Sequence, residues 1–428
     1  MTIIELQEYE KLPPRKGVKL DPKKINTVKQ LESLTLLDED TRLKQELEEK
    51  KILTISSDPI KKGLVIEATS HIGVAQFSKF TVTISPKFSN LKKIIELINY
   101  VYELDLEIFP QSEIEFEGAQ NLLSEIIIST FLKKYHSLIK QGLAKSYNQN
   151  FDNIAYLRGK LILSKQIIND TKNNMQFACE YDELEYNNIE NQILLFCLER
   201  CYYITINEQR KQEIRSLLHT LTGLIEKKEI SLEDFKKINY NQMNNHYKKT
   251  HEICKLIVQN VRITDFYSRK TRFVNSFFID MNQVFEKFVF KLFNEYYQLP
   301  CKEQQHYASW LMEKSKKSFD IIVDILIYDK TRKNIESIID TKYKDSLSEQ
   351  DRFQIAHYIR DYGKTEGIAI LPKTANSISD SIIAPRQGIK IKIHYIDIDR
   401  ILELLYSDSK TRKYDIYSEL TMLITPGR

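Results

Sequence analysis

Two apolar segments near the C-terminal end, each interrupted by acidic residues, constrain this chain more than any other feature. Phe319–Ile327 and Ile335–Lys342 have the composition of buried strands, and the polar stretch Tyr328–Asn334 between them predicts a hairpin loop. A helix over about Glu349–Tyr362 follows, and then an apolar strand, Gly367–Leu371, which a proline ends. This order of strands, helix and strand predicts a mixed α/β domain.

Length and composition limit the class of protein. The chain has 428 residues, which at about 150 residues per domain predicts two or three domains. Its 63 Lys and Arg against 59 Asp and Glu leave a net charge of +4, so contact with nucleic acid requires a local groove rather than a global positive field. Only 11 Gly and 10 Pro are present, which excludes collagen-like and linker-rich chains. The five cysteines form no CxxC pair, which argues against structural zinc.

The remainder of the chain divides into two further parts. Short strands and one helix predict a small β-rich N-terminal module over residues 1–118, from Leu64–Thr69, Ile72–Phe77, Phe80–Ser85 and Leu91–Leu104. Apolar residues at spacings of three and four predict a mainly helical middle region over residues 119–270, from Leu122–Leu143 and Asn191–Ile206. The mixed α/β domain then occupies residues 271–428, and the expected fold class of the whole chain is α+β.

No targeting or membrane segment is expected. Met1–Leu20 is charged and lacks the apolar region of a secretory signal. The longest apolar stretches, such as Ile126–Leu132 and Ile193–Leu198, are far shorter than a membrane span. We therefore expect a soluble cytoplasmic protein with no membrane contact.

The acidic residues of the two C-terminal strands form a candidate site. Residues two apart on a strand face the same way, so Asp340 and Lys342 share one face. If the hairpin is centred near Thr331, Asp324 stands opposite Ile338 and diagonal to Asp340. A register shift of one residue would instead send Asp324 to the other face.

Two carboxylates and a lysine at one point would suit metal-dependent phosphodiester hydrolysis. Carboxylate oxygens are the ligands that Mg²⁺ and Mn²⁺ prefer, and an ammonium group can stabilise developing charge. The alternative is a solvated strand edge, because Asp-x-Lys is common in a chain with 29% charged residues. The apolar surroundings of Asp324 and Asp340 favour a site, since buried carboxylates require a cation or hydrogen bonds. The next helix carries a polar stripe that faces either solvent or the site, Gln354, His357, Tyr358 and Asp361.

These residues resemble a known nuclease signature. The segment around Asp324, followed by Ile338-Ile339-Asp340-Thr341-Lys342, resembles the PD-(D/E)xK motif, and Gln354-x-x-x-Tyr358 is similar to the Q-x-x-x-Y element of its RecB-like branch. The whole chain resembles the McrC family, the nuclease subunits of McrBC-type, 5-methylcytosine-specific restriction systems. The further blocks that carry this resemblance are Ile84-Ser85-Pro86-Lys87-Phe88, Arg158-Gly159-Lys160, Tyr181-Asp182-Glu183 with Asn191, and Phe278-Ile279-Asp280-Met281-Asn282.

The resemblance implies a role for each site residue. Asp324 and Asp340 would hold Mg²⁺ or Mn²⁺, Lys342 would be the catalytic lysine, and Gln354 would contact water or phosphate. The family has Pro where this chain has Val323, and Asp320, four residues before Asp324, is a rival for the first carboxylate. The sequence pattern of the family around its first carboxylate fits Asp324 better than Asp320. Glu286 would match the acidic residue on the first helix of RecB-like nucleases, or it is an exposed helix charge.

The resemblance also implies a division of labour. A subunit of this kind cuts double-stranded DNA, while an McrB-like AAA+ GTPase hexamer recognises the methylated site and hydrolyses GTP. The N-terminal β-rich module would dock into the ring of that partner. The chain itself contains no G-x-x-x-x-G-K-[ST] and is not expected to hydrolyse nucleotide. Two alternatives remain: a non-catalytic adaptor that activates an NTPase, and a standalone repair or recombination nuclease.

Overall fold

The structure, a computed structural model, describes residues 2–14, 21–57, 63–106, 122–263, 275–312, 318–374, 377–378, 380–384, 388–407 and 409–424. The chain forms two compact units. Unit 1 comprises Met1–Ile108, Phe266–Val274 and Phe278–Arg428, and unit 2 comprises Phe109–Asp265 and Asn275–Phe277. The predicted segments 1–118 and 271–428 therefore contribute to the same unit. The predicted domain boundaries at 118 and 270 lie outside the described residues, so the three-part division stays a prediction.

The N-terminal part of unit 1 contains two small sheets. Its elements are β1 (Thr2–Gln7), β2 (Lys11–Leu12), α1 (Ile25–Ser33), α2 (Thr41–Glu49), β3 (Leu53–Ser57), β4 (Leu64–Ala68), β5 (His71–Gln76), β6 (Phe80–Ser85) and α3 (Leu91–Tyr102). The β-rich character of this part is confirmed, but strand β1 was not predicted. It pairs in parallel with β6, which also pairs with β5, while β2, β4 and β3 form the second sheet. Alternate residues of β6 are buried (Phe80, Val82 and Ile84), as expected for a strand with one face on a core.

Unit 2 combines helices with an unpredicted ribbon. Its elements are α4 (Leu122–Gln141), β7 (Ser146–Ile154), β8 (Lys160–Leu161), α5 (Leu163–Thr171), β9 (Phe177–Glu185), α6 (Ile189–Ile204), α7 (Glu208–Thr222), α8 (Leu232–Lys236), α9 (Lys248–Asn260) and β10 (Val261–Ile263). The prediction of a mainly helical region missed β7 and β9, which pair over nine residues each. Much of β7 is exposed on both faces, so its sequence lacks the apolar alternation that marks a half-buried strand.

Gly159 explains one of the sequence blocks of unit 2. Its φ is +64°, and a Cβ there would lie 2.3 Å from the carbonyl oxygen of Glu180 on the neighbouring strand. Only glycine fits this position without strain. The adjacent Arg158 stacks over the ring of Tyr181 at 4.2 Å and pairs with Glu183 at 3.3 Å, so these blocks brace the ribbon.

The C-terminal part of unit 1 is built on one mixed sheet. Its elements are β11 (Asn275–Asp280), of which the residues from Phe278 belong to this unit, α10 (Met281–Tyr296), β12 (Cys301–Met312), β13 (Ser318–Tyr328), β14 (Ile335–Thr341), α11 (Glu349–Asp361), β15 (Glu366–Pro372), β16 (Asp380–Ala384), β17 (Ile389–Ile396), α12 (Ile398–Leu405) and α13 (Arg412–Ile424). The strand order is β12-β13-β14-β15-β17-β16. β14, β15 and β17 run parallel, and the other neighbouring strands pair antiparallel.

Helix α11 connects the two halves of this sheet. Ile355 and Ile359 pack on Ala369 and Leu371 of β15, whereas Tyr358 packs against residues of β13 and β14. The predicted combination of helices with a mixed sheet is confirmed for this part of the chain. Among the helices that the structure describes, none is long and apolar enough to cross a membrane.

Candidate active site

The hairpin of β13 and β14 sets the geometry of the site. Ile325 pairs with Ile339 and Leu326 with Ile338, so the predicted pairing of Asp324 with Ile338 is wrong by two residues. A β-bulge between Ile327 and Tyr328 shifts the pairing by one residue, so that Tyr328 pairs with Ile335. Next to the site the observed pairing differs from the predicted one by two residues, an even number, and Asp324 therefore keeps the same face as Asp340.

Asp340 is a buried carboxylate with one free oxygen. Only 1% of the residue is exposed, because it ends an apolar strand in the middle of the sheet. Its Oδ2 forms an ion pair with Lys342 Nζ at 2.7 Å, and its Oδ1 has neither an ion pair nor a hydrogen bond among the described residues; the contact to Oδ2 is an ion pair without hydrogen-bond geometry. The backbone of Lys342 is held by β15, since its N–H donates to the carbonyl oxygen of Ile370 at 2.9 Å.

Asp324 reaches from β13 to the end of β14. Its Oδ2 accepts hydrogen bonds from the backbone N–H of Thr341 at 2.7 Å and from the hydroxyl of Thr341 at 2.9 Å. Asp324 and Asp340 each lie one residue beyond the last backbone pair, Ile325 with Ile339. The hairpin thus brings together the two predicted carboxylates and the predicted lysine. Sequence reasoning missed Thr341, whose position between Asp340 and Lys342 was the available signal.

Burial and neighbouring charges shift the pKa values of the site residues. Burial raises the pKa of Asp340 to about 7, repulsion from Asp324 adds to this rise, and the ammonium of Lys342 opposes it. Burial alone would lower the pKa of Lys342, but attraction to Asp340 and Asp324 leaves it raised. The lysine is therefore held firmly in its charged form beside a carboxylate that ionises reluctantly.

Glu286 on α10 belongs to the same electrostatic cluster. Burial raises the pKa of Glu286 to about 7, with repulsion from Asp324 as the next cause. Its Oε1 accepts a hydrogen bond from Gln304 Nε2 of β12 at 3.0 Å. Glu286 is half-buried rather than a fully exposed helix charge. The interpretation of Glu286 as an exposed helix charge therefore fits the structure less well than a role in the site.

Gln354 approaches the site through Tyr358. Its Nε2 donates to the hydroxyl of Tyr358 at 2.5 Å, and Gln354 itself is exposed. Burial raises the pKa of Tyr358. The charges of Asp340 and Asp324 also raise this pKa, whereas the charge of Lys342 lowers it. Asp361, the last residue of the predicted polar stripe, has a buried side chain 3.6 Å from His357 Nε2. The stripe is thus partly buried.

The rival carboxylate Asp320 lies on β13, where it pairs with Ala308 of β12. Its side chain lies outside the described residues. The assignment of the first carboxylate to Asp324 therefore stays a prediction, favoured by the contact between Asp324 and Thr341.

The donor set fits a small hard cation. Within the described ranges no group of three or more His, Cys, Asp or Glu side chains is arranged to hold a metal. Mg²⁺, however, is commonly bound by one or two carboxylates, with waters and substrate phosphate as its other ligands. A cation would contact the unpartnered Oδ1 of Asp340 and would relieve the repulsion of Asp324 with Asp340 and with Glu286.

Comparison with known proteins identifies the family. Residues 66–372 match the model of the family described as "McrBC 5-methylcytosine restriction system component". The chain belongs to this family. The matched range includes the sequence blocks and site residues named above, and the resemblance to the McrC type is confirmed.

Two relatives illustrate the likeness. The chain is 22% identical over 334 residues to the "Type IV methyl-directed restriction enzyme EcoKMcrBC" of Escherichia coli strain K12, covering 71% of this chain and 88% of the relative. It also superposes with a TM-score of 0.55 on a chain in the refined half-complex from a tetradecameric assembly of Thermococcus gammatolerans McrB AAA+ hexamers with bound McrC. That superposition covers 98% of this chain and 99% of the other at 19% identity, and it concerns the fold.

Proposed function

We propose that this chain is the DNA endonuclease subunit of a modification-dependent restriction system. The observation that carries the proposal is the pair formed by buried Asp340 and Lys342 at 2.7 Å, with Asp324 anchored on the intervening Thr341. A PD-(D/E)xK nuclease domain is the interpretation that accounts for all three residues. Membership of the McrBC component family supports the same conclusion.

Asp324 and Asp340 would hold Mg²⁺ or Mn²⁺, with the free Oδ1 of Asp340 as one ligand. When bound, such an ion supplies Lewis acidity and lowers the pKa of bound water. Lys342, whose charge is secured by the two carboxylates, stabilises the negative charge that develops on the phosphate oxygens during hydrolysis. Glu286 completes the acidic cluster from α10, and Gln354 with Tyr358 orients water or phosphate at its edge.

We propose double-stranded, methylated DNA as the substrate and an McrB-like AAA+ GTPase hexamer as the partner. In this division of labour the partner recognises the modified base and hydrolyses nucleotide, because this sequence contains no phosphate-binding loop. The small net charge of +4 agrees with a subunit whose partner supplies much of the affinity for DNA. Defence against foreign DNA is the role that follows.

Plasmid cleavage tests this function. The purified chain is incubated with Mg²⁺ and methylated or unmethylated plasmid, with and without the NTPase encoded next to its gene. We expect cleavage only with partner, nucleotide and methylated DNA. Cleavage without the partner would support a standalone nuclease. Strong stimulation of the NTPase without any cleavage would support the adaptor.

We propose the ribbon of unit 2 as a second surface for contact with the partner, in addition to the N-terminal module, whose docking stays a prediction. A cluster of large apolar side chains is exposed between residues 147 and 184: Tyr147, Phe151, Tyr156, Leu157, Leu163, Ile167, Ile168, Met175, Phe177 and Leu184. Tyr147 stands directly opposite Leu184 on the neighbouring strand. Exposed apolar clusters of this kind mark interaction sites, and aromatic residues often dominate binding energy there.

Substituting Tyr147 and Phe151 with serine is expected to weaken binding of the NTPase at least about tenfold, because truncation of aromatic anchors commonly costs more than about 1 kcal/mol each. Binding is measured by analytical ultracentrifugation or calorimetry with purified components. Tyr414→Ser is the matched control, since Tyr414 is comparably exposed but lies in α13 of unit 1. Equal affinity of the double variant and the control would contradict this assignment.

A further inference from the structure

A buried glutamate of the N-terminal part of unit 1 contacts the segment that follows the candidate catalytic lysine. Glu8 comes directly after β1 and is 1% exposed. Its Oε2 accepts hydrogen bonds from the backbone N–H of Lys87 at 2.9 Å and from the hydroxyl of Tyr343 at 3.2 Å. Glu8 and Tyr343 are 335 positions apart in sequence, so this contact is a specific tertiary connection.

Tyr343 is held from several sides. It is 1% exposed, and its ring packs edge-on against Phe88 with centroids 4.8 Å apart and tilted against Phe285 at 5.6 Å. Its backbone carbonyl accepts a hydrogen bond from the hydroxyl of Tyr9. The side chain of Lys87 forms an ion pair with Asp345, two residues further on. The segment 343–345 is therefore fixed at its side chains and its backbone by residues 8, 9, 87 and 88.

The same segment begins one residue after Lys342. On its other side, the N–H of Lys342 is bound to the carbonyl oxygen of Ile370. The end of β14 is thus pinned between β15 and the N-terminal residues. A buried carboxylate is a costly way to join two surfaces, and burial raises the pKa of Glu8 to about 7. In some proteins a buried polar group is retained despite this cost because it fixes a specific geometry.

We propose that Glu8 and Tyr343 are positioning residues of the candidate active site, which hold the end of β14 so that Lys342 and Asp340 keep their mutual geometry. This inference rests on the proposed nuclease function. It also gives the Ile84–Phe88 block a task within this chain: the N–H of Lys87 orients Glu8, and the Lys87 and Phe88 side chains hold the Tyr343–Asp345 segment. Misplacement of a reacting group by about 1 Å can lower a rate by about 10²-fold.

Tyr343→Phe and Glu8→Gln test the inference. Tyr343→Phe keeps the ring in its aromatic cluster and removes only the hydroxyl, and Glu8→Gln keeps the size of the side chain. Tyr100→Phe is the matched control, because the hydroxyl of Tyr100 donates to Glu295 at 2.8 Å in the same unit, between α3 and α10. Three quantities are measured: plasmid cleavage with the partner, Mn²⁺ affinity by electron paramagnetic resonance, and thermal stability.

For Tyr343→Phe and Glu8→Gln we expect cleavage to fall about 10- to 100-fold and Mn²⁺ to bind more weakly, as for residues that orient metal ligands. Tyr100→Phe removes a hydroxyl–carboxylate hydrogen bond elsewhere in the unit and is expected to change neither cleavage nor Mn²⁺ affinity. If Tyr343→Phe and Glu8→Gln match Tyr100→Phe in cleavage and Mn²⁺ affinity, the positioning role is wrong. In that case, loss of cleavage in Asp340→Asn would still support the proposed nuclease function. If the wild type does not cleave at all, the proposed function fails, and an unchanged Mn²⁺ affinity in both variants would then overturn the positioning role as well.

Discussion

Replacement of Asp340 by asparagine is expected to lower DNA cleavage by at least about 10³-fold while the chain stays folded and still binds its partner. The substitution removes the negative charge and one of the oxygens that we assign to the metal, and metal stabilisation of the transition state is worth several kcal/mol, with about 1.4 kcal/mol per factor of ten. Cleavage of methylated plasmid in the presence of the NTPase measures the effect. Stimulation of NTP hydrolysis, measured in the same reactions, should match that of the wild type.

The same variant has a predicted stability signature. The folded-state pKa of Asp340 is raised from its ordinary value of 3.8 to about 7, so between these values the unfolded chain releases a proton that the folded chain retains. The free energy of unfolding of the metal-free wild type therefore falls as pH rises through this window. Asparagine does not titrate, and Asp340→Asn should lose less stability between pH 4 and pH 7, in the window set by the two pKa values.

Urea unfolding at the two ends of this window, in the presence of a chelator, checks the signature. Added Mg²⁺ should stabilise the wild type at neutral pH and leave Asp340→Asn unchanged, because only a ligand that binds the folded state shifts the equilibrium. Full cleavage by Asp340→Asn, or equal stabilisation of both proteins by Mg²⁺, would show that Asp340 is not a metal ligand of the active site.

Replacement of Lys342 by methionine is expected to lower cleavage about 10²- to 10³-fold, the range found when one preorganised charge-stabilising group is lost. Methionine keeps the length and the apolar stem of the lysine. Since Lys342 lies beside Asp340 rather than among the proposed ligands, Mn²⁺ should still bind. The two substitutions are thus distinguished by metal affinity, which Asp340→Asn lowers and Lys342→Met retains.

Lys342→Met should also destabilise the metal-free protein above neutral pH. Asp340 would lose the cation at 2.7 Å, and leaving one partner of a buried ion pair uncompensated costs about 3–5 kcal/mol where the remaining group stays ionised. Lys373→Met is the control, because Lys373 forms only a solvent-exposed pair with Asp397 at 3.5 Å. Equal cleavage by the two lysine variants would show that Lys342 is not a catalytic group.

The sequence by itself determined the elements that carry the site. Apolar runs predicted β13 and β14, and the period of two in a strand placed Asp340 and Lys342 on one face. Asp324 kept the predicted face although the register was wrong, because the observed pairing beside the site differs from the predicted one by an even number of residues. Local composition also predicted α11 and the strands β4 to β6, each within a few residues. These features depend on near neighbours, which a sequence displays directly.

Tertiary structure decided what distant residues contribute. Much of the ribbon β7–β9 is solvent-exposed, and its strands therefore lack the alternation of apolar and polar residues from which a strand can be predicted. The cluster of Glu286 with Asp324, and the contact of Glu8 with Tyr343, join residues that no local pattern relates. The raised pKa values of Asp340 and Glu286 likewise arise from burial and from like charges on different elements. Burial and electrostatic repulsion depend on the packed arrangement of the whole unit, and they are the properties that make these residues a candidate active site.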